Sequence, residues 1–183
     1  MDISPCDIPG VRLLRPAVHP DRRGFFKEVS RNDECAAAGL PDGFRQVNMS
    51  YSKPRVLRGL HFQIEHPQAK LVSVAHGEIF DVVVDCRHGS PAFGKWAAFR
   101  LSAERGEELF VPAGLAHGFQ VVGDEPAAVV YQCDDYYRPG DEGGLHWASP
   151  ALAIPWPVAA PVLSDKDAAL PPFSPDLRFP RFR

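Results

Sequence analysis

Residues 55–74 read RVLRGLHFQIEHPQAKLVSV. The stretch has the pattern of a strand, a loop and a second strand, with turn residues grouped in its middle. Within sixteen positions it also carries Arg58, His61 and Lys70. Two cations and an imidazole crowd a segment whose other side chains belong in a core. An anion together with an acidic carbon would account for all three.

Working outward, the same strand-and-turn pattern continues in both directions. FRQVNMSYS (44–52) alternates, with Val47, Met49 and Tyr51 on one face and Gln46, Asn48 and Ser50 on the other. A half-buried strand usually turns its polar face to water, whereas a barrel strand can turn it into a ligand cavity. Strands are expected through KLVSVA, EIFDVVVDC, KWAAFRLS, EELFVP, GFQVVG and AAVVYQCDDYY, and GFFKEVSR is strand-like too. HG at 76–77 and HGSPAFG at 88–94 are the turns between them. One short helix is expected over NDECAAAG, opening at Asn32 and stopping at Gly39. After Pro139 the periodicity fades into a Pro-rich run that wraps the body. No internal repeat or linker interrupts the chain, so residues 1–183 are expected to form one all-β domain, a sandwich or barrel with minor helical segments.

Composition narrows the function classes. The 183 residues are 45% hydrophobic and 23% charged, the balance of a soluble globular protein. A formal charge of −3 gives no general attraction for nucleic acid or an anionic membrane. An anionic ligand must then be held by a local cluster of Arg and Lys. No apolar run reaches membrane-spanning length, and MDISPCDIPGV lacks the basic start and apolar stretch of a signal peptide, so a cytoplasmic location is expected. Cys6, Cys35, Cys86 and Cys133 show no CxxC or zinc-like spacing and read as free thiols.

His61 alone would be a structural histidine. Its company changes that reading: Lys70 is near, and LSDKD (163–167) offers Asp165 or Asp167 to orient an imidazole. A carboxylate on one ring nitrogen fixes the tautomer and raises the basicity of the other. Regular alternation would put Arg58 and His61 on opposite faces. If both serve one site the strand must bulge, and Gly59 between them is where a bulge fits. Tyr131, in VVYQCDDYY, is either strand packing or an acid facing the base across a cavity.

VPAGLAHGFQV (111–121) contains a P-x-G-x-x-H turn that places His117 and Phe119 on one face. The turn resembles the second motif of the cupin superfamily, whose histidine often binds a metal. The first cupin motif needs H-x-H followed by Glu, and here the stretch is His61-Phe62-Gln63. No metal is expected.

Taken in order, DRRGFFKEV, QVNMSYS, VLRGLHFQ, PQAKLVSVAHGEIFDVVVDCRHGSPAFGKW, FVPAGLAHGF, VVYQCDDYY and VLSDKDA resemble the dTDP-4-dehydrorhamnose 3,5-epimerase family along nearly the whole chain. The resemblance implies a cupin-type jelly-roll β-barrel, a homodimer built partly by exchange of N-terminal strands, and no metal or organic cofactor. It implies a dTDP-linked 4-keto-6-deoxyhexose as substrate, inverted at carbons 3 and 5. By the same resemblance His61 is the general base, Asp167 its carboxylate partner, Tyr131 the general acid and Lys70 the group that steadies the enolate oxygen. Arg23 and Arg58 match residues that hold the diphosphate, and Glu28, Gln46 and Asn48 match nucleotide contacts. His117, Glu142 and Lys166 match further substrate contacts, with Phe119 beside His117. HWASP (146–150), where many relatives have a WNDP-like turn, and the Pro- and Arg-rich tail after Pro171 depart from the family pattern. The rival readings are a single-centre epimerase acting on a related sugar, a sugar-binding jelly roll without catalysis, and a metal-dependent cupin oxygenase.

Overall fold

The computed structural model describes residues 2–182. Two antiparallel sheets face one another. The six-stranded sheet contains β1 (Asp2–Pro5), β2 (Arg12–Arg15), β5 (Gln46–Ser52), β7 (Lys70–His76), β10 (Glu108–Val111) and β12 (Ala127–Cys133), in the spatial order β1-β2-β10-β7-β12-β5. The five-stranded sheet contains β6 (Leu57–Gln63), β8 (Glu78–Asp85), β9 (Trp96–Ser102), β11 (Leu115–Val122) and β13 (Glu142–Gly144), in the order β13-β6-β11-β8-β9. β3 (Val18–Asp21) and β4 (Gly24–Lys27) form a separate hairpin. α1 (Asn32–Ala37) and α2 (Asp165–Ala168) are single turns or little more. This is the jelly-roll barrel that the sequence leads one to expect.

Each sheet is covered on both faces over part of its area, which is why several strands read as continuous apolar runs. Val72, Val74, Val83, Leu109, Val121 and Val129 point between the sheets and make the central core. Val82 and Val84, the alternate residues of β8, point the other way, where Leu145, Ile154, Phe179 and Trp156 of the wrapping C-terminal segment cover them. Leu71 and Phe110 face outward under α1, packed on Cys35 and Leu40. Burying one such aliphatic side chain contributes about 1.5–3 kcal/mol, so the wrap and the helix are part of the stabilising core. All four cysteines are free.

β5 reverses the usual arrangement for a sheet edge. Val47, Met49 and Tyr51 are 63%, 69% and 62% exposed, while Gln46, Asn48 and Ser50 on the other face are partly covered and line the barrel interior. Of the two readings the alternation permits, the cavity-lining one holds. The strands missing from the sequence-based expectation are β1, β2, β3 and β13, four residues or fewer each and too short to display a period. AAVVYQCDDYY also ends as a strand at Cys133 rather than running on to Tyr137.

Candidate active site

The site begins with a break in strand pairing. β11 pairs with β6 so that His117 lies opposite His61 and Phe119 opposite Arg58. Two residues of β6, Gly59 and Leu60, therefore stand against the single Gly118, which is a β-bulge. Gly59 has φ +110, and a Cβ there would sit 2.6 Å from Gly118 Cα. A Cβ on Gly118 would meet the Arg58 carbonyl oxygen at 2.5 Å. Only a glycine pair allows this approach. Its consequence is that Arg58 and His61 line the same cavity, which strict alternation forbids.

His61 is oriented from the far end of the chain. Ser164 caps α2 by accepting the Asp167 backbone N–H at 3.1 Å, and this turn aims the Asp167 side chain at β6. Asp167 Oδ1 lies 2.7 Å from His61 Nε2, and Oδ2 accepts the Gly59 N–H at 3.3 Å. Burial pushes the Asp167 carboxyl up, but hydrogen bonds from His61 and Gly59 outweigh it, so the net shift is below the ordinary carboxylate range. An ionised Asp167 can only accept, which places the ring hydrogen on His61 Nε2 and leaves Nδ1 as the basic nitrogen.

Two lobes of about 250 and 270 Å³ share His61, Lys70 and Tyr131. The first adds Ser50, Arg58, His117, Phe119 and Asp167, and the second adds Gln46, Asn48, Gln63, Tyr137 and Glu142. Burial pulls the Lys70 ammonium below the usual lysine range, against the upward pull of Cys133, Asp81 and Glu142. No carboxylate comes within ion-pair distance of Lys70 among the described residues. A desolvated ammonium without a partner interacts strongly with any oxygen that develops negative charge beside it. Burial raises the Tyr131 phenol, with Arg58 opposing, so at neutral pH Tyr131 holds its proton and can give it. The Ser50 hydroxyl is buried in the first lobe with no hydrogen-bond partner in the protein. Arg58 is held by the Ser52 hydroxyl, to which its Nε donates at 2.9 Å.

Sequence reasoning missed Asp81. It is fully buried, and both its oxygens lie 2.9 Å from His117 Nε2, a second His–Asp pair in the wall of the site. The available signal was a carboxylate in the middle of the apolar strand EIFDVVVDC, a placement that burial tolerates only with a partner. Tyr137, Gln63 and Gln68 were missed as well. Glu142 and Lys166 are present at the mouth but form an ion pair with one another. Burial raises the Glu142 carboxyl, and Lys166, Tyr137 and His61 together bring it below the ordinary value. Among the described residues no three His, Cys, Asp or Glu side chains converge as metal ligands.

The sequence profile of dTDP-4-dehydrorhamnose 3,5-epimerase matches residues 5–175. The chain belongs to this family. It is 51% identical over 170 residues to the dTDP-4-dehydrorhamnose 3,5-epimerase of Neisseria gonorrhoeae, covering 92% of this chain but 52% of that protein. The chain thus spans about half the length of that relative. Against the enzyme of the same name from Shigella flexneri it is 46% identical, over 91% of this chain and 93% of that one. The crystal structure of dTDP-6-deoxy-D-glucose-3,5-epimerase from Legionella pneumophila Philadelphia 1, in complex with dTDP-4-keto-L-rhamnose, superposes with a TM-score of 0.92 at 41% identity, covering 100% of this chain and 98% of that one.

For a member of the epimerase family, two of the expected contacts are out of place within a single chain. Arg23 sits at the exposed tip of the β3–β4 hairpin, paired with Asp21. Glu28 lines a separate groove at the base of the hairpin, with Phe26, Arg31 and Glu108. Neither lines either lobe of the His61 cavity. The hairpin pairs only with itself, and within one chain it does not bring Arg23 or Glu28 to the cavity. His61, Tyr131, Asp167, Lys70, Arg58, Gln46, Asn48, His117, Phe119, Glu142 and Lys166 are all brought to the one cavity.

Proposed function

We propose that this chain inverts carbons 3 and 5 of dTDP-4-keto-6-deoxy-D-glucose to give dTDP-4-keto-L-rhamnose, without metal or organic cofactor. The observation that carries the reading is the convergence of an oriented imidazole, a half-buried ammonium without an ion-pair partner and a protonated phenol on one cavity that also contains Arg58. A ketone at carbon 4 acidifies the hydrogens on carbons 3 and 5. His61 takes one of these protons, and the C–H electron pair moves into the ring to leave an enolate on the carbon 4 oxygen. Lys70 donates a hydrogen bond to that oxygen, an electrostatic contribution often worth several kcal/mol in the barrier. Tyr131 then gives its phenolic proton to the opposite face of the carbon, after which the phenolate recovers a proton from solvent and the His61 imidazolium releases its proton to solvent. Arg58 grips the diphosphate, so that binding far from the reacting carbon orients the sugar. The other cavity residues, His117 with Asp81 behind it, Phe119, Gln46, Asn48, Glu142 and Lys166, shape the pocket around the nucleotide-sugar.

The working unit in this reading is a homodimer of single-domain chains in the cytoplasm, a compartment in which four free cysteines are at home. Two features support the dimer. Val47, Met49 and Tyr51 make an exposed apolar stripe on a sheet edge, and Phe26 on the projecting hairpin is 69% exposed. Arg23 and Glu28 reach a substrate only if the hairpin of one copy extends over the cavity of the other.

Proton NMR of the purified protein with dTDP-4-keto-6-deoxyglucose in heavy water tests the function. Deuterium is expected at carbons 3 and 5, with formation of the L-rhamno product. Exchange at one carbon alone would make the chain a single-centre epimerase, and exchange at neither would reject the reading.

A further inference from the structure

Three glutamine side chains grip one short piece of backbone at the rim of the second lobe. The segment 134–141 joins β12 to β13 and carries Tyr137, whose ring lines that lobe beside Gln46, Asn48 and Glu142. Gln68 Nε2 donates to the Asp135 carbonyl oxygen at 2.6 Å. Gln46 Oε1 accepts the Tyr137 N–H at 2.8 Å. Gln63 Nε2 donates to the Arg138 carbonyl oxygen at 3.3 Å. Three amides, from β5, from β6 and from the turn before β7, thus engage three backbone groups within residues 135–138.

Two other bonds act at this point: the Asp141 N–H donates to the Arg138 carbonyl oxygen at 3.2 Å, and the Tyr137 side chain hydrogen-bonds Glu142. Arg45 and Arg138 approach Asp135 only at 3.4 Å and in exposed positions, where ion pairs contribute little. Further tethers lie at both ends, where Asp134 Oδ1 accepts the Ala69 N–H at 2.8 Å and Asp141 accepts the N–H groups of Glu65 and His66. Gln63 is a buried amide whose Oε1 has no hydrogen-bond partner in the protein, an arrangement that apolar packing alone does not explain. A leucine or methionine would pack as well and leave nothing unsatisfied.

We infer that Gln63 and Gln68 are positioning residues for nucleotide-sugar binding, acting through the Tyr137 segment, whose backbone they hold so that the Tyr137 ring stands as a wall of the second lobe. The inference rests on the proposed dTDP-sugar substrate. Gln46 takes part in the same grip in addition to any contact of its own with the nucleotide. The chemistry at His61, Lys70 and Tyr131 is untouched by these amides, so the effect belongs in binding and in KM rather than in kcat.

A double-mutant cycle separates positioning from direct contact and from general support of the fold. The probes are thymidine diphosphate in calorimetric titration and the 4-keto sugar nucleotide in steady-state kinetics. Gln63→Met and Gln68→Met are each expected to weaken thymidine diphosphate binding and raise KM about tenfold, the size of one lost hydrogen bond, with kcat within about twofold. In a Tyr137→Ala background neither substitution is expected to add more than about twofold. Full multiplicative losses in that background would mean that the glutamines touch the ligand themselves, and would overturn the inference. So would unchanged binding in the single variants, or kcat and the thermal midpoint falling together with affinity. Gln68 is less buried than Gln63, so Gln68→Met decides the matter if the Gln63 variant does not fold. A wild-type protein that binds no thymidine diphosphate would reject the proposed substrate itself, and the positioning role with it.

Discussion

Asp167 Oδ1 and His61 Nε2 meet at 2.7 Å although 106 residues separate them in the chain. The carboxylate comes from a four-residue helix and the imidazole from a central strand, so in the proposed reaction the C-terminal wrap serves catalysis as well as the core. Asp167→Asn keeps the shape but removes the obligate acceptor that fixes the His61 tautomer. We expect kcat to fall by about 10²-fold or more, the scale of general acid–base contributions, with KM little changed. Steady-state kinetics that left kcat at the wild-type value would remove Asp167 from the mechanism.

Gly118→Ala tests the bulge without changing any polar group. Its Cβ would lie 2.5 Å from the Arg58 carbonyl oxygen, so β6 must shift where it presents both Arg58 and His61. Overpacking of this kind costs about 1–3 kcal/mol, and the thermal midpoint is expected to drop accordingly. Because the two side chains flank the bulge, kcat/KM should drop further than the stability loss alone explains. A variant with wild-type kinetics would show that the close approach is dispensable.

These two positions also show what a sequence can and cannot display. Alternation in 44–52 and in the apolar strands pointed to an all-β sandwich or barrel, because a period of two survives wherever one face differs from the other, and the resemblance narrowed this to a jelly roll. His61, Lys70 and Arg58 stood out as charges in core-like strands. The bulge could be located only through a contradiction, two site residues on opposite faces with a glycine between them. Asp81 stayed hidden because its partner, His117, belongs to a neighbouring strand, and pairing of strands is not written in local pattern. The glutamine grip on residues 135–138 is a set of side-chain-to-backbone bonds across three elements, which no spacing encodes. Arg23 and Glu28 were legible only by resemblance, and the single chain does not carry them to the cavity.

Glu108 gives a pH dependence of stability. It is buried against Lys27, with side chains 3% and 7% exposed and Nζ 3.0 Å from Oε1. Burial pushes the carboxyl up to about 7, the Lys27 charge and hydrogen bond pulling against it. The folded-state value lies above the unfolded one of about 4.5, so the folded protein binds the proton more tightly. This favourable share is complete below pH about 4.5 and is lost as pH rises through about 7, to a limit of roughly 3 kcal/mol. Glu108→Gln is expected to flatten that part of the stability curve in chemical denaturation at fixed protein concentration. An unaltered curve between pH 5 and 8 would show that Glu108 does not titrate there.

The apolar stripe on β5 predicts the oligomer. Light scattering at micromolar concentration is expected to give about twice the chain mass of 20.2 kDa. Met49→Glu places a charge in the middle of the stripe without entering the barrel, since Met49 points outward. The variant is expected to dissociate while its circular dichroism stays native. A wild-type protein of single-chain mass would sink the dimer, and with it the route of Arg23 and Glu28 to the substrate.

The base and the acid are expected to fail in different ways. His61→Asn removes the basic nitrogen while keeping a similar shape, so no enolate forms. Solvent deuterium should then enter neither carbon 3 nor carbon 5, and no epimer should appear. Tyr131→Phe leaves His61, Asp167 and Lys70 in place, so the proton still comes off and the enolate is still stabilised. The opposite face now lacks its acid, and the return route is protonation by His61 on the original face. Deuterium should therefore wash into the substrate with retained configuration while net epimerisation falls by about 10²-fold or more. The same phenol also closes the wall between the two lobes, so substrate binding by Tyr131→Phe is to be measured alongside and should stay within about threefold, its ring being kept. Wild-type epimerisation at both carbons by Tyr131→Phe would reduce Tyr131 to packing. Normal deuterium exchange by His61→Asn would move the base elsewhere, and His117, held by Asp81 in the same cavity wall, would be the next histidine to replace.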